Sequence, residues 1–146
     1  MLYRVTSASL IGINAQTVDI EIDVSLGLPG FTIVGLPDAS VRESKDRVRA
    51  ALKNCGYKLP SVKIIVNLAP GDRKKEGSAF DLPIAVGLLA YMGLAQKERL
   101  NDYLFMGEVA LDGRLRPVRG VLASAVLAER LEFNGIVLPA ENVKEA

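Results

Sequence analysis

Between residues 15 and 26, Val18, Ile20, Ile22 and Val24 alternate with Asp19, Glu21 and Asp23. A period of two belongs to a β-strand and not to a helix. Apolar side chains on one face and carboxylates on the other require a sheet with a core against one side and water on the other. Residues 2–11 carry the same kind of patterning, and Asn14 with its neighbours supplies a turn between the two runs. Gly27-Leu-Pro-Gly30 interrupts the pattern. Phe31-Thr-Ile-Val34 then reads as a short third strand, closed by Gly35-Leu-Pro37.

The period changes at residue 40. Residues 40–55 read as a helix, with Ser40 and Glu43 spaced as a capping box and Gly56 placed as a C′ residue. Val41, Val48, Leu52 and Cys55 fall on one face at 100° per residue, and Arg42, Lys45, Arg49 and Lys53 form an adjacent stripe. Glu43, Asp46 and Arg47 lie elsewhere on this helix. Residues 62–68 read as a fourth strand, followed by the polar loop Ala69–Gly77 and an apolar helix to about Met92. Either Ser78 caps that helix, with Asp81 at its third position, or Asp81 caps it and Pro83 sits in the first turn. Ile84-Ala-Val-Gly-Leu-Leu-Ala90 is apolar on nearly all sides, as expected of a helix covered by more than one layer.

Asp112-Gly113 between residues 104–110 and 114–118 is a type I′ hairpin signal. A helix over 120–133 and a strand over 135–139 complete the order β-β-β-α-β-α-β-β-α-β. Hairpins mixed with crossover helices predict an α/β domain, in the form of an α+β two-layer sandwich over residues 1–146. At 146 residues, such a domain buries roughly 68–70% of its unfolded surface and needs no disulfide or metal to fold. The last residues, Pro139–Ala146, read like the opening of a further helix, so a piece of a longer protein is expected.

Composition removes several chemistries. The chain has no histidine and one cysteine, Cys55. A Ser-His-Asp or Cys-His site, a histidine metal site and a multi-cysteine zinc site are therefore excluded. No tryptophan and only four Phe and four Tyr argue against a base-stacking surface. There is no apolar run near the ~20 residues of a membrane span and no signal-peptide pattern. A cytoplasmic protein with no membrane contact is the expectation. Gly71-Asp-Arg-Lys-Lys-Glu-Gly77-Ser78 has neither the spacing nor the lysine of a nucleotide-binding loop.

Net charge is only +1, so nucleic-acid contact would need local patches. Three exist: Arg42, Lys45, Arg49 and Lys53; Arg73, Lys74 and Lys75; and Arg114, Arg116 and Arg119. Such clusters bind phosphates with little sequence preference, or else form solvated faces. Asp72, Glu76 and Asp81 share a neighbourhood that suits Mg²⁺, but the basic residues among them favour ion pairs. Glu108 and Asp112 flank the hairpin as capping or solvated groups.

The stretch Asn67-Leu-Ala-Pro-Gly-Asp-Arg-Lys-Lys-Glu-Gly-Ser-Ala-Phe-Asp-Leu-Pro-Ile-Ala-Val-Gly-Leu-Leu-Ala90 resembles the signature of the ComM/YifB family, the magnesium-chelatase-like AAA+ ATPases. Residues 33–52, 106–122 and 136–142 agree with it in the family's order. The resemblance implies an N-terminal domain with a Lon-protease-like, ribosomal S5 domain 2-like fold, a mixed sheet and a left-handed βαβ crossover, against the usual hand. It also implies a parent that is a homo-hexameric ATPase using ATP and Mg²⁺, with branch migration of DNA in recombination and natural transformation. No cofactor is expected in this part of it.

Lon proteases use a Ser-Lys dyad. Laid over their pattern, Ala79 takes the place of the nucleophile, with Ser78 one residue early, and Leu122 takes the place of the lysine. No lysine occurs between residues 98 and 143. A serine nucleophile needs a base within reach, so no catalytic residue is expected. The expected role is contact with DNA, or ring assembly against its own AAA+ module and neighbouring subunits. A protein-interaction module without DNA is the alternative, and a Ser-dependent peptidase is further off.

Overall fold

The computed structural model describes residues 1–146. The alternating runs form the first hairpin: β1 (Leu2–Ile11) pairs antiparallel with β2 (Asn14–Ser25) along its whole length. Val18, Ile20, Ile22 and Val24 are buried, while Asp19 and Asp23 face solvent. β3 (Gly30–Val34) connects through α1 (Ala39–Arg42) and α2 (Ser44–Asn54) to β4 (Lys63–Ala69). α3 (Asp81–Tyr91) and a 3₁₀ turn at Lys97–Asp102 precede β5 (Tyr103–Phe105). A small ribbon of β6 (Glu108–Val109) and β7 (Leu115–Arg116), then α4 (Val121–Arg130), β8 (Gly135–Val137) and a closing 3₁₀ turn at Ala140–Glu145 follow.

The main sheet has the order β3-β4-β2-β1-β5-β8. It is mixed: β1–β2 and β2–β4 are antiparallel, and β3–β4, β1–β5 and β5–β8 are parallel. This is the α/β class expected, with a mixed sheet. The layering is fuller than two layers. Tyr3, Val5, Val18, Ile20 and Ile22 share a core with Val48, Leu52, Ile84 and Leu88 of α2 and α3. Ala8, Ala15 and Leu104 instead share a second core with Val121, Leu127 and Ala128 of α4. Alternate residues of a strand point to opposite faces, so α4 covers one end of the face that α2 and α3 leave open. α3 is the central helix, with Ile84 and Leu88 fully buried. It approaches the sheet at Gly87, where a methyl group would lie 2.2 Å from the tip of Ile22.

Five local expectations are corrected. The helix at 40–55 is two segments, and its cap is Asp38, whose carboxylate accepts from the Val41 amide at 2.8 Å. Ser40 makes no cap. Glu43 sits at the junction, its carbonyl accepting from both Asp46 and Arg47 amides. The far end is as expected: Gly56 at φ 87° allows Tyr57 to donate to the Leu52 carbonyl and Gly56 to the Lys53 carbonyl, a Schellman pair. Cys55, placed by periodicity with the apolar face, is exposed.

Neither Ser78 nor Asp81 caps α3; Phe80 occupies that position without a side-chain bond. The arm at 104–110 divides, because Met106 donates to Val137 and Gly107 to Ala79, which turns the chain out of the main sheet. The turn at Asp112-Gly113 is not type I′, which needs positive φ at both central residues. Only Gly113 has it. The Gly113 amide donates to Ala110 and the Ala110 amide to Arg114, a three-residue loop with the glycine at its left-handed position.

Candidate functional site

The segment after β4 returns toward the sheet and starts α3, and its residues line a cleft of about 670 Å³. Ser78, Ala79 and Phe80 form one wall and the end of β1 forms another, with Val118, Arg119 and Ser124 completing the enclosure. Ala79 thus lies on the cleft wall. Leu122 does not enter it; its side chain is 60% exposed. Ser78 is not a helix cap, and it is not partnerless. Its hydroxyl donates to the Glu108 carboxylate, which lies 3.8 Å from Arg116. The partner is an acid held near an arginine, not the amine of a Ser-Lys dyad.

One residue past the cleft-lining Phe80 begins a polar junction. Asp81 is fully buried, yet its carboxylate receives the Ser44 hydroxyl at 2.5 Å, Arg47 Nε at 2.6 Å, an Arg47 terminal nitrogen at 3.0 Å and the Val109 amide at 3.1 Å. Arg47 also donates to the Ser40 carbonyl at 2.8 Å. The hydrogen bond to Asp81, more than burial opposes it, raises the guanidinium above its ordinary pKa. A buried carboxylate is tolerated only with such partners. Through these bonds Asp81 ties α2, α3 and β6 together. Asp72 and Glu76 do not join it, and these carboxylates do not converge on one point. Glu76 pairs instead with Lys74 at 3.8 Å.

The three basic clusters have different fates. Arg42, Lys45, Arg49 and Lys53 are all exposed, and no acidic side chain lies within 4.0 Å of any of them. Arg49 rests its guanidinium 5.5 Å from the Phe31 ring centre, which orients it without neutralising it. In the loop, Arg73 donates to Gln16 and to the Thr17 carbonyl. Lys75 leaves the surface set altogether: it is fully covered and its ammonium donates to the Pro70 carbonyl. Burial, aided by the charge of Arg73, lowers its pKa. Its backbone is pinned as well, donating to Leu36 and accepting from Asp38. Only Lys74 of the three points outward. At the ribbon, Arg114 binds Asp112 at 2.8 Å, and Arg116 faces Glu108. The Arg114 amide, with its guanidinium, lowers the Asp112 pKa. Arg119 remains unpaired at the cleft rim.

Sequence reasoning missed three residues here. Arg47 lies off the stripe by its spacing, and nothing local links it to Asp81, 34 positions away. Glu108 reads from its place beside the hairpin as a capping or solvated group, and it instead accepts from Ser78. Ser124 did carry a signal: it shares the apolar spacing of Val121, Leu127 and Ala128, and it is 1% exposed with no partner for its hydroxyl. No helix is long and apolar enough to cross a membrane.

The profile of the family described as subunit ChlI of Mg-chelatase matches residues 20–142. An uncharacterized protein YifB of Salmonella typhimurium is 47% identical over 141 residues, 97% of this chain and 28% of its own length. Competence protein ComM of Haemophilus influenzae is 45% identical over 142 residues, again 97% of this chain and 28% of that protein. A Lon protease of Mycolicibacterium smegmatis is 26% identical over 143 residues, 94% of this chain and 18% of its own. The chain spans less than a third of the length of these relatives.

Proposed function

Since the chain belongs to the family of the ChlI subunit of Mg-chelatase, we propose that it is a non-catalytic N-terminal domain of a ComM/YifB-like AAA+ ATPase, and that it contacts the phosphate backbone of DNA through α2 and the end of α1. The observation that carries this proposal is the exposed, unpaired stripe of Arg42, Lys45, Arg49 and Lys53. Four exposed cations, Arg42 at the end of α1 and three on α2, meet a polyanion at no cost in broken ion pairs, and release counterions on doing so. Phosphate contacts of this kind position a duplex without reading its bases. In this account ATP and Mg²⁺ act in the remainder of the parent protein, a homo-hexamer that migrates DNA branches in recombination and transformation. Weak contact from each subunit then gains strength through avidity around a ring. Ala79 and Leu122 at the dyad positions support a domain retained without peptidase chemistry.

Fluorescence anisotropy of labelled single-stranded, duplex and four-way-junction DNA, titrated with this chain from about 25 to 200 mM salt, tests it. Binding that weakens as salt rises supports the proposal. No binding at high micromolar protein, with the fold intact by circular dichroism, moves DNA contact elsewhere in the parent. Subunit assembly is the alternative role, and exposed Ile13, Leu122 and Val126 favour it. Sedimentation of the chain at rising concentration separates the two.

A further inference from the structure

We propose that the cleft beside Ala79 takes an extended peptide segment of another polypeptide, added as a strand to the free edge of β1 and held without being cut. The inference is independent of DNA binding by α2.

The edge comes first. On one side β1 is paired with β2 from Leu2 to Ile11. On the other side its one registered partner is Leu104 of β5, opposite Thr6, and β5 ends at Phe105. Met106 then donates to Val137 and leads the chain away. From Ala8 to Ile11 the second edge of β1 therefore carries no strand. Such an edge is a template for another chain.

The cleft runs along that edge. All four residues from Ala8 to Ile11 line it. Successive side chains of a strand point to opposite faces, so a cavity touching four in a row lies at the side of the strand, not above it. Its volume of about 670 Å³ falls in the range of binding pockets, roughly 300–1,000 Å³.

The opposite wall is rich in unmet polar groups. The backbone amides of Ser78, Ala79 and Phe80, just ahead of α3, donate to no acceptor in the protein. The Ser124 hydroxyl, buried on the same cleft, has no partner either. Buried polar groups without partners are costly. A peptide strand supplies carbonyls for these amides and alternating amides and carbonyls for β1. A nucleic acid supplies no such ladder. The rim is also balanced in charge, with Lys74 and Arg119 beside Asp38 and Glu76, which does not favour a polyanion. Cutting is absent from the proposal because Ser78 is engaged by Glu108 and Leu122 offers no base.

The test uses a neutral, end-capped octapeptide of alternating valine and serine as probe. Hydrogen exchange of the unaltered chain with the peptide is expected to slow at amides within Ala8–Ile11 and Ser78–Phe80, with the peptide recovered whole by mass spectrometry. Ala79→Phe, which puts a ring into the cleft, is expected to weaken binding at least about tenfold. Protection confined to other segments, or none up to about 1 mM peptide, overturns the proposal. So does equal protection of these amides by a single-stranded oligonucleotide, or cleavage of the peptide. The exchange experiment on the unaltered chain stands even if Ala79→Phe does not fold.

Discussion

Helix α2 and the loop after β4 carry similar runs of positive charge in the sequence and use them in opposite ways. Across α1 and α2, Arg42, Lys45, Arg49 and Lys53 stay in solvent with no acid in reach, and a single cation, Arg47, turns inward to a buried carboxylate. In the loop, Arg73 and Lys75 are consumed by carbonyls and a side-chain amide of their own protein, and Lys74 alone is left outside. A helix satisfies its own backbone, so its surface side chains are free for a partner. A loop leaves carbonyls over, and long cationic side chains are the nearest donors for them. Counting charges in a window does not separate these cases.

The largest effect expected is on the inward cation. Arg47→Met strands the Asp81 carboxylate in the core and is expected to destabilise the chain by about 3–5 kcal/mol, measured by urea denaturation. Adding Asp81→Leu removes the stranded charge and is expected to recover most of that loss; if it does not, the pair is not the unit that joins α2, α3 and β6. On the outward stripe the expected effect is on affinity alone. If three or four phosphates are met, DNA affinity falls about 40- to 150-fold between 50 and 200 mM salt. Arg42→Glu, Lys45→Glu and Arg49→Glu together abolish that dependence and leave the denaturation midpoint nearly unmoved.

Smaller effects probe the loop and its neighbourhood. Ser78→Ala removes a bond to Glu108 and should cost about 0.5–1.5 kcal/mol; a cost near zero in the same denaturation assay would show the bond to be idle. Lys75 should leave a trace in alkaline stability. Its folded pKa lies below the ordinary 10.5. Between the two values the unfolded chain still holds a proton that the folded chain has shed, so stability rises with pH across that window. Lys75→Met is expected to flatten the rise. An unchanged slope would mean that Lys75 titrates as a surface group.

The strands were legible because their signal is long and local. Val18 to Val24 alternate without a break, and the structure keeps that register. Val41, Val48 and Leu52 likewise bury as their spacing predicts. Errors arose where two local rules competed or where the partner is distant. Ser40 and Glu43 satisfy a capping box, but Asp38 caps α1 and Glu43 falls at a junction that lets Ser44 and Arg47 face Asp81. The arm at 104–110 has one continuous strand pattern, and contacts from Val137 and Ala79 divide it. At the candidate site, the positions of Ala79 and Leu122 were readable by resemblance. The burial of Lys75 and the unpaired edge of β1 were not, because both depend on which segments pass beside them.

The contrast between α2 and the loop is tested most directly by titrating two variants side by side against the same labelled duplex at low salt. One is Arg42→Glu with Lys45→Glu and Arg49→Glu; the other is Arg73→Gln with Lys74→Glu. The account predicts that the α2 variant loses binding and the loop variant keeps most of it. Retained binding by the α2 variant, or a greater loss in the loop variant, would contradict it.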